Sequence, residues 1–327
     1  MVRSIFSVLL FFCTSASIFA APMKIALILD RGGKDDKSFN SSAFRGATEA
    51  KEKLGISLKE VEVSDDTLFE PAMRSFASKG YDLIIGIGVT QAEAIKKVAA
   101  EMPNQKFAVI DAKVDAPNVL SVRFEEHQGS FLVGYIAGLK SKTKGVGFIG
   151  GMDIPLIRRF EKGFLEGVKA SNPKARTFVN YVGVTSEAWN NPTKAKELAQ
   201  NQYAQGADVI FAAAGASNNG VFDAAEENKR YAIGVDSNQN WVKPGRVLTS
   251  MLKHVDQAVF KAIQDLKEGK FKAGIQTRGL KEMGIGWALD EYNRSLFTED
   301  EVKKIEKVRK ELAAGKIKVT DYYLTRR

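Results

Sequence analysis

Short, almost uninterrupted apolar runs recur along this chain, and amphipathic stretches of helical length separate them. The runs at residues 23–30, 58–63, 82–88, 107–111, 120–124, 146–150, 177–182, 208–213, 232–236 and 247–252 are bounded by turn residues. A run that stays apolar on both of its alternating faces belongs to a strand covered on both sides, as in a parallel sheet flanked by helices. The stretches between them, at 43–54, 71–79, 91–101, 129–141, 158–171, 192–205, 220–228 and 256–268, supply those helices. Strands alternating with helices build right-handed βαβ units. The series is too long for one sheet of ordinary width, so the expected fold is α/β with two doubly wound parallel-sheet lobes. A length of 327 residues also suits two cores better than one.

Three segments, at 112–122, 247–253 and about 281–285, are expected to pass between the lobes. The expected lobes are residues 21–122 with 253–282, and residues 123–252 with 283–327. A chain that crosses between its lobes several times can close like a hinge on a ligand. Near the end, Val302, Ile305, Val308 and Leu312 share one helical face. Thr298 reads as the cap with Glu301 three residues on, and Gly315 as the stop.

Residues 1–20 read as a secretory leader. Arg3 provides the positive charge, residues 5–12 the apolar stretch, and residues 15–21 the small-residue region. Cleavage is expected after Ala20, since a cut after Ala21 would set Pro22 beside the scissile bond. Cys13 has two phenylalanines before it, where a lipid-attachment signal wants small residues, so a free periplasmic protein is expected. Cys13 is the one cysteine of the sequence, and its removal leaves no disulfide to form.

The formal net charge is +9, one less without Arg3. Lys and Arg are interspersed with Asp and Glu, and no aromatic-interleaved basic stripe marks a nucleic-acid partner. Enzyme signals are thin. The chain holds two histidines, His127 and His254, each near a helix start and read as surface or capping residues. It has no GxSxG elbow and no HExxH. Asp35 and Asp36 form an adjacent acidic pair, read as solvated loop carboxylates. Gly145, Gly147 and Gly150 match GxGxxG but start and punctuate a strand, which rules against a dinucleotide loop. Gly86 and Gly88 end a strand before a helix, where they serve either backbone approach to a ligand or close packing. No metal, cofactor or catalytic residue is expected.

Polar residues at strand ends carry more information. Asp30, Asp111 and Asp236 each terminate an apolar strand. One such carboxylate is often a helix cap, but three at equivalent points suggest a shared cleft at the carboxyl edges of the sheets. Carboxylates suit neutral ligands rich in O–H and N–H donors and disfavour anions. Phe39, in the loop after the first strand, and Trp189, in the loop at 183–192, would come from different lobes and clamp a planar ring between them.

The residues Asp30 and Asp36-Lys37-Ser38-Phe39-Asn40, then Ala214 through Phe222, Gly234-Val235-Asp236-Ser237-Asn238-Gln239 and Leu248 through Lys253, resemble the basic membrane protein family of substrate-binding proteins. Its purine nucleoside receptors are the nearest branch. The resemblance spans the mature chain and implies a type I periplasmic binding protein, a monomer that serves an ABC transporter permease and is not an enzyme. It implies Phe39 as a stacking ring, with Asp30, Asn40 and Asp111 as polar residues of the same lobe. It also implies backbone approach at Gly215 and ribose contacts at Asp236 and Lys253. Trp189 stands where relatives usually carry Phe.

Overall fold

The computed structural model describes residues 21–325, so the expected leader, its cleavage site and Cys13 lie outside the described residues. The chain forms two six-stranded sheets. In the first, β1 (Lys24–Leu29) lies between β2 (Ser57–Glu62) and β3 (Leu83–Ile87), followed by β4 (Phe107–Ile110), β5 (Val119–Phe124) and a late strand, Gly274–Arg278. All its pairings are parallel. In the second, β6 (Gly145–Met152) lies between β7 (Arg176–Gly183) and β8 (Val209–Ala213), followed by β9 (Tyr231–Asp236), β10 (Val247–Lys253) and Ile285–Trp287. The two late strands are β11 and β12, and β12 alone runs antiparallel.

Helices α1 (Phe39–Leu54), α2 (Phe69–Ser78) and α3 (Ala92–Glu101) follow the strands of the first sheet, and α8 (Val255–Lys267) packs on α1. Helices α4 (Glu126–Lys140), α5 (Pro155–Ser171), α6 (Pro192–Ala204) and α7 (Asn218–Glu227) surround the second. Central strands such as β3, LIIGI, and β8, VIFAA, are wholly buried, as double coverage demands. One core cluster runs from the face of the first sheet under α1 and α8 to α4, α5 and the second sheet. Separate clusters fill the outer faces. At the α4–α5 crossing a Cβ on Gly163 would stand 2.2 Å from the carbonyl oxygen of His127, so only glycine admits this approach. The last helices are α9 (Glu299–Ala313), closed by the capping box of Thr298 and Glu301, and the short α10 (Tyr322–Thr325).

Two expectations need correction. Residues 112–118 do not leave the first sheet, because the chain returns directly as β5 beside β4; the passage comes after Phe124. Likewise β10 stays in the second sheet through Lys253 and the chain crosses at His254, so cuts at 122 and 252 fall inside strands. The third passage joins β11 to β12. The passages are tied together, Glu125 N–H donating to Arg278 O at 3.0 Å and His254 N–H to Gly284 O at 2.9 Å. Finally, β11 and β12 went unread because they are short edge strands, and β11 is polar and partly exposed.

Candidate functional site

The carboxyl ends of the two sheets face each other across one cavity. Space not filled by protein atoms measures about 560 Å³, its mouth included, within the usual range for small-molecule sites. All eight residues singled out in the sequence border it: Asp30, Phe39, Asn40 and Asp111 from the first lobe, and Trp189, Gly215, Asp236 and Lys253 from the second. Leu156, Ile157 and Phe160 of α5 complete an apolar wall that strand and loop patterns did not reveal.

The first-lobe wall is built around Asp36. This residue is 2% exposed, and its carboxylate accepts the N–H groups of Ser38 (2.8 Å), Asn40 (2.8 Å) and Ser41 (3.0 Å). It is a buried cap and not a solvated loop acid. Its bonds satisfy orphan donors of the first turn and start α1 at Phe39, four residues earlier than hydrophobic spacing indicates. Phe39 and Asn40 therefore stand on a helix, not in a loop. The Asn40 side chain donates to Asp36 (3.0 Å) and accepts from Asp30 N–H (2.8 Å), which fixes the end of β1 against α1. Gly88 has φ +108°, and a Cβ there would stand 2.3 Å from an Asp30 oxygen, so it serves close packing and borders the cavity as well.

Asp111 and Asp236 have φ of 72° and 66°. Non-glycine residues seldom adopt this left-handed backbone, which costs roughly 1–3 kcal/mol and persists where the surroundings impose it. Here it turns two strand ends so that both carboxyl groups border the cavity. Lys253, 1% exposed, is paired with Asp111 and lies 3.6 Å from Glu126. Its ammonium also sits over the rings of Phe39 (5.0 Å), Phe124 (5.2 Å) and Phe160 (5.5 Å). Burial alone would lower the lysine pKa, but Asp111, Glu126 and Asp236 outweigh it and hold the ammonium charged. Burial pushes Asp30 and Asp236 up to about 6, and raises Asp111 against the opposing pull of Lys253.

Direct bonds close the lobes at the cavity. Ser38 Oγ donates to Asp236 (2.6 Å), Ser237 Oγ to Ser38 O (2.9 Å) and Gln239 Nε2 to Lys37 O (3.1 Å). Behind the site, Arg159 is buried against Glu126, the Phe124 carbonyl, His127 and Asp321. His127 is thus a buried member of an ion cluster and not a surface residue, since α4 begins at Glu126 and packs on α5. Neither histidine borders the cavity. Gly145, Gly147 and Gly150 lie within β6, as a strand reading requires.

The raised acids set a pH dependence. Each binds its proton more tightly folded than unfolded, so its stability contribution is full below about pH 4 and is lost as pH rises through about 6. A shift of about two units corresponds to roughly 3 kcal/mol. A donor-rich ligand offsets that loss by bonding the ionised forms. Melting curves are expected to show a larger ligand-induced rise at about pH 8 than at about pH 5; a rise independent of pH would contradict this.

Among solved structures, a solute-binding protein of an ABC transporter system from Aeropyrum pernix K1 matches with TM-score 0.84 at 30% identity, over 92% of this chain and 94% of that one. Two parallel-sheet lobes around an interlobe cavity, with this likeness, define a periplasmic-type substrate-binding protein. The chain belongs to the Bmp family, ABC transporter substrate-binding protein PnrA-like, whose model matches residues 23–322. It is 35% identical over 322 residues to the CD4+ T-cell-stimulating antigen of Listeria monocytogenes, covering 91% of this chain and 88% of that protein. It is 32% identical over 320 residues to the ABC transporter nucleoside-binding protein BmpA of Lactococcus lactis, covering 91% and 89%.

Proposed function

We propose that this protein captures a purine nucleoside, such as guanosine, inosine or adenosine, between its lobes and delivers it to an ABC transporter permease. It does so outside the cytoplasmic membrane, as a monomer and without chemical change to the ligand. The observation that carries this reading is the cavity's composition: aromatic residues from both lobes, an apolar wall, and buried Asp30, Asp111 and Asp236 beside the single cation Lys253. The rings suit a planar base, and the carboxylates suit ribose hydroxyls and base N–H groups. The acid excess disfavours an anionic ligand such as a nucleotide. The Lactococcus lactis relative is an ABC transporter nucleoside-binding protein, which agrees with this reading. We take residues 125, 254 and 279–284 as the hinge.

Mass spectrometry of material released from the denatured protein tests the reading, with a purine nucleoside expected; a sugar would replace it. A finer expectation concerns ribose. Asp236→Asn should weaken ribonucleoside binding about tenfold or more and leave 2′,3′-dideoxy analogues little affected, because a charged acceptor contributes about 1.5–3 kcal/mol. A calorimetric cycle of protein variant and analogue without coupling would remove Asp236 from the ribose.

A further inference from the structure

Trp189 Nε1 is sealed from solvent and meets no acceptor among the described residues, although the side chain borders the cavity. A buried indole N–H ordinarily finds a partner, and one left unpaired is unfavourable. The residue is not placed to swing elsewhere. It sits in a 3₁₀ turn, Ser186–Asn190, which Ser217 ties to the neighbouring turn by donating to Ala188 O (2.7 Å) and accepting Asn191 N–H (2.7 Å). On its other side the indole is packed against Gly151 of β6, where an added Cβ would stand 2.2 Å from Cζ3 and 2.5 Å from Cε3. Those atoms lie on the side of the fused rings remote from Nε1, so it is the benzo ring and not the N–H-bearing ring that the strand contacts.

Resting on the nucleoside reading above, we propose that Trp189 is a specificity residue that donates its Nε1–H to a ring nitrogen of the bound base. The indole N–H lies in the ring plane, so a tryptophan that donates it to the base cannot also cover the face of that base. Phe39 is then the stacking ring and Trp189 an edge donor, which replaces the two-ring clamp expected from sequence. Asp111 fits the same division of roles: Lys253 holds its Oδ2, and its buried Oδ1 has no partner. The N-lobe carboxylate thus takes a donor of the ligand while the C-lobe indole supplies one. A purine offers donors and ring-nitrogen acceptors on different edges of one plane, whereas a sugar ring offers no comparable unprotonated nitrogen.

The test is a calorimetric cycle with guanosine, 3-deazaguanosine and 7-deazaguanosine on the wild type and on Trp189→Phe, with melting curves to show that the variant is folded. On the wild type one deaza analogue is expected to bind about tenfold or more weakly than guanosine, the scale of one hydrogen bond. On Trp189→Phe that difference should vanish, and Trp189→Phe should lose nearly as much guanosine affinity as Trp189→Ala. Equal deaza penalties in both proteins, or none in either, would overturn the donor role and return Trp189 to stacking. Failure of the wild type to bind guanosine, inosine and adenosine alike would instead overturn the nucleoside reading.

Discussion

Lys253→Met is expected to abolish measurable nucleoside binding and to destabilise the fold by about 3–5 kcal/mol, the cost of stripping a buried charge of its partner. The lysine is 1% exposed, pairs with Asp111 and faces Asp236, and it also lies 3.6 Å from Glu126, which Arg159 holds from the other side. Methionine fills the volume between Phe39, Phe124 and Phe160 but leaves Asp111 and Asp236 without the cation that offsets their burial, while Glu126 keeps Arg159. The double variant Lys253→Met/Asp111→Asn should recover part of the stability and none of the binding. Chemical denaturation and calorimetry measure the two effects, and a stable, binding-competent Lys253→Met would contradict the account.

Arg159→Met is expected to cost a comparable 3–5 kcal/mol, because the guanidinium is 2% exposed and serves several acceptors at once. It bonds Phe124 O at 2.8 Å and Asp321 at 2.7 and 3.0 Å, pairs with Glu126, and meets His127 Nδ1 at 3.0 Å. Burial and then Arg159 itself lower the His127 pKa, so a neutral imidazole accepts that contact. Since Glu126 also lies beside Lys253, losing Arg159 should weaken ligand binding as well, without direct contact. Asp321→Asn should be milder, its side chain being 19% exposed. Equal melting points for wild type and Arg159→Met would refute the cluster's role.

The alternation of buried strands and helices was legible, and with it the two-lobed α/β class, because a parallel strand covered on both faces must be apolar throughout. The same fact exposed Asp30, Asp111 and Asp236: a polar residue that ends such a strand stands out. The left-handed backbone of Asp111 and Asp236 was not legible, since tertiary contacts impose it. Phe39 was identified but assigned to a loop, because helical spacing alone cannot show that Asp36 caps three donors and extends α1. Glu126 falls before the helical stretch read at 129–141 and Arg159 in the one at 158–171, and neither stands out in the sequence; only the close α4–α5 packing buries them. Ser38 and Asp236, 198 positions apart, meet only through lobe closure.

The interlobe cavity is proposed to bind a purine nucleoside without transforming it. Ligand-free protein, prepared by unfolding, dialysis and refolding, should be titrated calorimetrically with guanosine, inosine, adenosine and free sugars, and each mixture then chromatographed. Saturable one-to-one binding of at least one purine nucleoside is expected, in preference to every sugar, with the nucleoside recovered intact. Binding of sugars alone, or release of free base, would contradict it.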